Sequence, residues 1–319
     1  MFKKILIANR GEIALRILRA CKELNIKTVA IHSEADESAI HVKMADESIC
    51  VGPASAQLSY LNIPAIVTAA TLTNADAIHP GYGFLSESKR FAEIIEEHKI
   101  KFIGPTSKHI GIMGDKIKAR RIMRDNGVPI VPGLHDVNDI NQVNKFIDEI
   151  GLPIIIKAAS GGGGKGMRIV KKNNELKNAL GSAKIEAKKS FNNDILYIEK
   201  FISTPKHIEI QILADAHGNV LTLGERDCSI QRKHQKLIEE CPSLCLEENE
   251  RQEISELCRK AMMSIGYEGV GTLEFLYDNK KFYFMEMNTR LQVEHPITEM
   301  VTQIDLVKEQ IFAALGEKI

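Results

Sequence analysis

The sequence predicts a mixed α/β and α+β chain: a doubly wound parallel sheet first, a small α/β unit next, and an antiparallel sheet at the C-terminal side. Three observations predict it. From Lys4 to about Ile103, short apolar runs alternate with amphipathic stretches, the pattern of buried parallel strands joined by helices. After His207 the hydrophobic period changes to two, as antiparallel strands with unlike faces require. Between these regions a strand-like run ends in four glycines, Gly161 to Gly164. With 319 residues, 44% hydrophobic and 26% charged, the chain has the composition of about two globular domains and is neither disordered nor fibrous.

The elements follow in order. Ile5-Leu6-Ile7-Ala8 reads as the first strand and Glu12 to Leu24 as its helix. Thr28 to Ile31, Ala77-Ile78 and Lys101-Phe102-Ile103 continue the sheet, with a helix over Phe91–His98. The first turn carries a single glycine, Gly11, so it lacks the dinucleotide fingerprint. Asp115 to Asn126 reads as a helix that Gly127 and Pro129 terminate. A small unit is expected over about Val131 to Ile202. Antiparallel strands are expected at His207–Leu213, Val220–Arg226, Gly271–Tyr277 and Phe282–Asn288, flanked by helices over about Glu247–Ile265 and Ile304–Leu315. The expected division is 1–114, a linking helix 115–130, a lid 131–202 and a final domain 203–319.

Charge and cysteine usage exclude several classes. The 42 basic and 42 acidic side chains cancel, so no sequence-wide field favours nucleic acid or a membrane surface. No apolar run approaches the ~20 residues of a membrane span. A cytoplasmic location is expected. Six cysteines without a C-x-x-C pair suggest neither a disulfide framework nor a zinc ribbon.

Two clusters carry chemistry. Gly161, Gly163 and Gly166 formally match G-x-G-x-x-G, but a strand, Met167–Val170, follows where that motif needs a helix, and Lys165 is followed by Gly166 rather than the Ser or Thr of a Walker A loop. What remains is a glycine flap between strands, with Lys157 before it, suited to closing on phosphates. The second cluster is the hairpin Thr272–Leu276/Phe284–Asn288. If its loop has three residues, Glu274 faces Glu286, with Asn288 on the same face. Facing carboxylates with an amide nearby suit a divalent cation bridging phosphate oxygens. Downstream, Arg290, Gln292 and Glu294 share a face if extended, and could hold a small oxyanion and deprotonate it. A basic run, Gln231 to Lys236, adds donors.

Taken together, Asn9-Arg10-Gly11-Glu12-Ile13-Ala14, His79-Pro80-Gly81-Tyr82-Gly83-Phe84-Leu85-Ser86-Glu87, the glycine loop, Glu225-Arg226-Asp227-Cys228-Ser229, and Glu286-Met287-Asn288-Thr289-Arg290 through Glu294-His295-Pro296 resemble biotin carboxylase, the ATP-grasp subunit or domain of acetyl-CoA carboxylase and related carboxylases. The resemblance covers the whole chain. It implies an ATP-grasp fold and ATP-dependent carboxylation of carrier-bound biotin by bicarbonate through carboxyphosphate, a ligase reaction of fatty acid synthesis.

It also implies residue roles. Lys116, Lys157, His207, Gly163 and Gly164 match positions that contact ATP or its phosphates. Glu199, Lys200, Phe201 and Ile202 match the hinge that reads the adenine edge, Leu276 the floor under the base, and Gln231 and His234 further nucleotide positions. Glu274, Glu286 and Asn288 match ligands of two Mg²⁺ or Mn²⁺ ions. Lys236, Arg290, Gln292, Val293 and Glu294 match the bicarbonate pocket, with Lys236, Arg290 and Glu294 catalytic and Glu294 the base. The implied partners are a biotin carboxyl carrier protein, a carboxyltransferase and, for the full-length protein, a second copy of the chain.

The family continues past Ile319. The final domain is therefore expected to be incomplete here, without the arginine that orients biotin, so that residues 1–319 alone carboxylate free biotin little or not at all. The rivals are the same domain of a pyruvate or acyl-CoA carboxylase, more distantly carbamoyl-phosphate synthase, and a non-catalytic nucleotide-binding or assembly module.

Overall fold

In a computed structural model, residues 1–134, 137, 139–158, 167–191, 195–233 and 235–319 are described. They form two compact units. The first comprises Met1–Val128, Lys206–Phe275 and Phe284–Ile319; the second comprises Pro129–Pro205 with the hairpin tip Leu276–Tyr283.

The first unit opens with the parallel sheet that the alternation predicts. Strands β1 (Lys4–Ile7), β2 (Lys27–Ser33), β3 (Glu47–Gly52), β4 (Ala77–His79) and β5 (Lys101–Phe102) are ordered β3-β2-β1-β4-β5. They are connected through α1 (Gly11–Glu23), α2 (Ile40–Met44), α3 (Ile63–Leu72) and α4 (Lys89–Glu97). Every strand pairing in this sheet is parallel, and the apolar runs bury both faces. Ile5, Ile7, Ile17 and Leu18 lie in one core cluster and Leu6, Ile31, Phe91 and Phe102 in the other. Truncating one such fully buried Leu or Ile to Ala costs about 2–5 kcal/mol. Helix α5 (Ser107–Met113) precedes α6 (Lys116–Asp125). Asp115 caps α6 by accepting from the Ile117 and Lys118 amides, which places Lys116 in its first turn.

The second unit holds β6 (Gly133–Leu134), α7 (Ile140–Ile150), β7 (Ile154–Ala158), β8 (Arg168–Val170), α8 (Leu176–Phe191) and β9 (Leu196–Lys200), its sheet ordered β6-β9-β7-β8. All three pairings are antiparallel. Its own small core gathers Val143, Ile147, Ile154, Ile156, Leu196 and Ile198. The glycine flap, Gly161 to Gly164, lies outside the described residues.

The remaining sheet is ordered β12-β11-β10-β13-β14, from β10 (Lys206–Ala214), β11 (Val220–Arg232), β12 (Gln235–Glu240), β13 (Gly269–Asp278) and β14 (Lys281–Asn288). Helices α9 (Glu248–Ser264), α10 (His295–Thr302) and α11 (Leu306–Ala314) accompany it. The period-two segments are therefore strands, but β11 runs on to Arg232 and the basic run continues into β12, an edge strand paired with β11.

Two expectations in this region are corrected. The hairpin turn has two residues, not three: Asn279 and Lys280 stand at φ 48° and 58°, the left-handed pair that a tight hairpin turn requires. Tyr277–Phe282 and Phe275–Phe284 then pair across it, the first tilted and the second edge to face, with centroids 4.7 and 5.9 Å apart. A two-residue turn takes Glu286 out of direct opposition to Glu274. The segment after Asn288 is not extended either. Thr289 to Glu294 turns, and Glu294 (φ −78°, ψ 3°) is the N-cap of α10, because Pro296 in the first turn supplies the fixed φ of a helix start.

Candidate active site

Around the first unit's antiparallel sheet, three of the charged residues singled out in the sequence, Lys236, Glu274 and Glu294, come together beside His207. Lys236, from edge strand β12, donates to Glu209 on β10 at 2.5 Å, Glu274 on β13 at 2.9 Å and Glu294 before α10 at 2.6 Å. Its side chain is 19% exposed, and Glu209 is fully buried. Burial opposes charge on Lys236, but the three glutamates outweigh it and hold the pKa above the usual lysine range. Glu274 and Glu209 mirror this. Burial opposes ionisation, yet His207 and Lys236 around the first, and Arg226 and Lys236 around the second, keep both below the usual carboxylate range.

Glu274 accepts three further approaches. Asn288 Nδ2 donates to it at 2.7 Å and Gln292 Nε2 at 2.9 Å. His207 Nε2 lies 3.0 Å from its second oxygen without the alignment of a hydrogen bond. Strand alternation breaks along β14: Phe282, Phe284 and Met287 are buried, while both Met285 and Glu286 are half-exposed. That one-residue shift returns Asn288 to the face of Glu274, as a bulge does. Gln231 Nε2 lies 2.8 Å from His207 Nδ1 and donates to Cys228 O.

Other expected members stand apart from this cluster. Glu286, half-exposed, pairs with the exposed Lys116 at 3.5 Å, and is absent from the described carboxylate, histidine and cysteine groups tight enough for one ion. Those groups are His207, Glu209, Glu274 and Glu209, Cys228, Glu294. Arg290 donates Nε to Glu87 at 2.9 Å and Nη2 to Asn288 at 2.9 Å. Thr289 N also donates to Glu87, tying the loop after β14 to the Leu85-Ser86-Glu87 segment. Val293 is exposed.

Within the second unit, Lys157 on β7 ion-pairs with Glu199 on the adjacent β9. Lys200 donates Nζ to Gly151 O and Leu152 O, and its amide donates to Pro132 O; the Phe201 amide donates to Pro153 O, and Ile202 follows the end of the strand. Leu276 is part of the hairpin tip assigned to this unit. Gly163, Gly164 and His234 lie outside the described residues.

Sequence reading missed the centre of the cluster. Arg226, fully buried on β11, binds Glu209, and neither had been given a role. The available signal was the charged run Glu225-Arg226-Asp227 directly after the apolar alternation of Val220 to Leu223, since a charge carried on within a strand needs a buried partner.

Comparisons with known proteins agree with this architecture. Residues 1–110 match the family model described as biotin carboxylase, N-terminal domain, and residues 115–319 match carbamoyl-phosphate synthase L chain, ATP binding domain. A biotin carboxylase of Haemophilus influenzae is 57% identical over 318 residues, covering 99% of this chain and 71% of that protein. A biotin carboxylase from Campylobacter jejuni, solved as a β-γ-ATP complex, is 51% identical at TM-score 0.89, covering 100% of this chain and 72% of that one. The biotin carboxylase domain dimer of Hydrogenobacter thermophilus 2-oxoglutarate carboxylase, solved with MgADP, ADP and bicarbonate, is 51% identical at TM-score 0.87, covering 100% and 71%. On this whole-length likeness, the chain belongs to the biotin carboxylase family.

Proposed function

We propose that the chain serves the biotin carboxylase step: bicarbonate attacks the γ-phosphate of ATP, giving ADP and carboxyphosphate, which carboxylates biotin held on a carrier protein and releases phosphate, the biotin nitrogen giving up its proton. The observation that carries this reading is the lysine–glutamate cluster around Lys236, into which Glu294 and Gln292 both project. Lys236 and Arg290 supply positive charge for bicarbonate, and Gln292 and Val293 complete its pocket. Glu294 accepts its proton, general-base work that contributes about 10²–10⁴-fold. When the anion enters, Lys236 exchanges part of its carboxylate contacts for it, leaving Glu294 better able to take up the proton.

On the nucleotide side, Lys116, Lys157 and His207 serve the phosphates, with Gly163 and Gly164 of the flap. Glu199 to Ile202 serve the adenine edge, Leu276 lies under the base, and Gln231 and His234 complete the site. Because the Lys200 and Phe201 amides already donate to Pro132 and Pro153, edge reading falls to the carbonyls of this segment and the Ile202 amide. Glu274, Glu286 and Asn288 would hold Mg²⁺ or Mn²⁺. Their oxygen donors fit such hard ions, and the bound ions would supply charge neutralisation at the phosphates.

A biotin carboxyl carrier protein, a carboxyltransferase and a second copy of the chain are the partners in this reading, and the cytoplasm its location. Among the described residues no helix is long and apolar enough to cross a membrane. The carboxyltransferase chooses the acyl acceptor, so the same step serves an acetyl-CoA, pyruvate or other acyl-CoA carboxylase.

The test is ADP release with and without bicarbonate. The expected result is bicarbonate-stimulated release that Glu294→Gln lowers by at least about 10²-fold. ATP binding without any ADP release, with or without bicarbonate, would instead favour a nucleotide-binding module.

A further inference from the structure

Arg226 has no exposed surface, yet every N–H of its guanidinium has an acceptor. Nε donates to Glu209 Oε1 at 2.5 Å, Nη1 to Gln211 Oε1 at 2.7 Å and Thr298 Oγ1 at 2.8 Å, and Nη2 to Gln292 Oε1 at 2.7 Å and Thr272 Oγ1 at 3.3 Å. The acceptors come from β10, β13, the turn after β14 and α10. Stability alone does not call for such a group, since an apolar side chain of like volume commonly serves as well at a buried ion-pair position.

An apolar side chain cannot orient an amide. A guanidinium only donates, so the carbonyl oxygen of Gln292 must face Arg226. Its amide nitrogen is thereby turned onto Glu274, where it donates at 2.9 Å. The same fork occupies Oε1 of Glu209 and leaves Oε2 to Lys236, at 2.5 Å. Two groups of the proposed anion pocket are thus set through one cation that itself stays out of reach of any substrate.

We infer that Arg226 is a positioning residue for bicarbonate: its guanidinium sets the amide orientation of Gln292 and, through Glu209, the place of Lys236. The inference rests on the biotin carboxylase reading, which gives Arg226 no role. A group that merely held the sheet together would alter the amount of folded enzyme, whereas a positioning group alters the response to one substrate.

The experiment measures KM for bicarbonate and for ATP separately, from bicarbonate-dependent ADP release, in the wild-type chain, Arg226→Lys and Thr298→Val, with circular dichroism to establish folding. Lysine keeps the charge but not the planar fork. Bicarbonate KM should rise about tenfold in Arg226→Lys while ATP KM stays within about twofold. Thr298→Val removes one acceptor remote from the anion and keeps the side-chain volume, so bicarbonate KM should rise about two- to threefold. Unchanged bicarbonate KM in both variants, or the two KM values rising together, overturns the role. If Arg226→Lys does not fold, Thr298→Val decides by the same criterion. Wild-type ADP release that ignores bicarbonate is a different failure, seen before any variant is made: it removes the functional reading and this inference with it.

Discussion

Each of the two units sets a lysine against a glutamate, and the two arrangements behave differently. In the first, Lys236 is shared by Glu209, Glu274 and Glu294 from three separate elements and is 19% exposed. In the second, Lys157 pairs with Glu199 across neighbouring strands and is 35% exposed. Removing Lys236 would strand three acids away from water, so its charge stays within the cluster even while part of its contacts pass to the anion. Lys157 leaves a single acid, Glu199, when it turns to another anion, as a group that meets a phosphate only when nucleotide is present must.

Breaking the first arrangement should have the largest effect. Lys236→Met leaves buried carboxylates unpaired and should lower unfolding free energy by about 3–5 kcal/mol, with loss of ADP release. A denaturant-derived loss below about 1 kcal/mol would show that water already reaches the cluster and that the contrast is overdrawn. Lys157→Ala should act on ligand rather than fold. ATP affinity should drop by about 1.5–3 kcal/mol in calorimetry, with a smaller loss of stability than Lys236→Met. Equal affinity in the variant would mean that Lys157 serves Glu199 alone.

The smallest expected effect is a pH dependence seated in the first unit. Burial pushes His79 down to about 3 and His295 to about 4, Arg16 adding to both. Their folded pKa values lie below the ordinary 6.5, so the unfolded chain binds more protons throughout the interval between, and stability falls as pH drops below 6.5. Each histidine should withdraw about 1 kcal/mol by about pH 5.5. His295→Gln should flatten the fall measured between about pH 7 and pH 5.5. An unaltered slope would assign the acid sensitivity elsewhere.

Much of this was legible in the residue pattern, and the misreadings have physical causes. The helices over Gly11–Glu23 and Lys116–Asp125 and the strand over Lys206–Ala214 lie within one or two residues of their expected limits, because periodicity and caps are local signals. The hairpin length was misread because Asn279-Lys280 carries no glycine, although both residues take positive φ. The stretch from Thr289 to Glu294 was read as extended because its alternating polar residues mimic a strand, when Pro296 already marked a helix start. Lys236 and Glu294 were named in advance, but their contact depends on which strands neighbour one another. Glu209 and Arg226 went unassigned for the same reason: cross-strand partners 17 residues apart leave no trace in the spacing of either.

The wide reach of Arg226 along the chain also bears on folding kinetics. Its bond to Glu209 closes over 17 residues, within one hairpin, but those to Gln292 and Thr298 close over 66 and 72. Each longer closure costs chain entropy before any contact repays it. During synthesis the β10–β11 hairpin can form early with its guanidinium still hydrated, whereas dehydration of that group must wait until Thr298 has left the ribosome. Completion of the pocket is thus a late event in folding, and a chain stalled short of α10 would carry the proposed lysine and base without the geometry to use them.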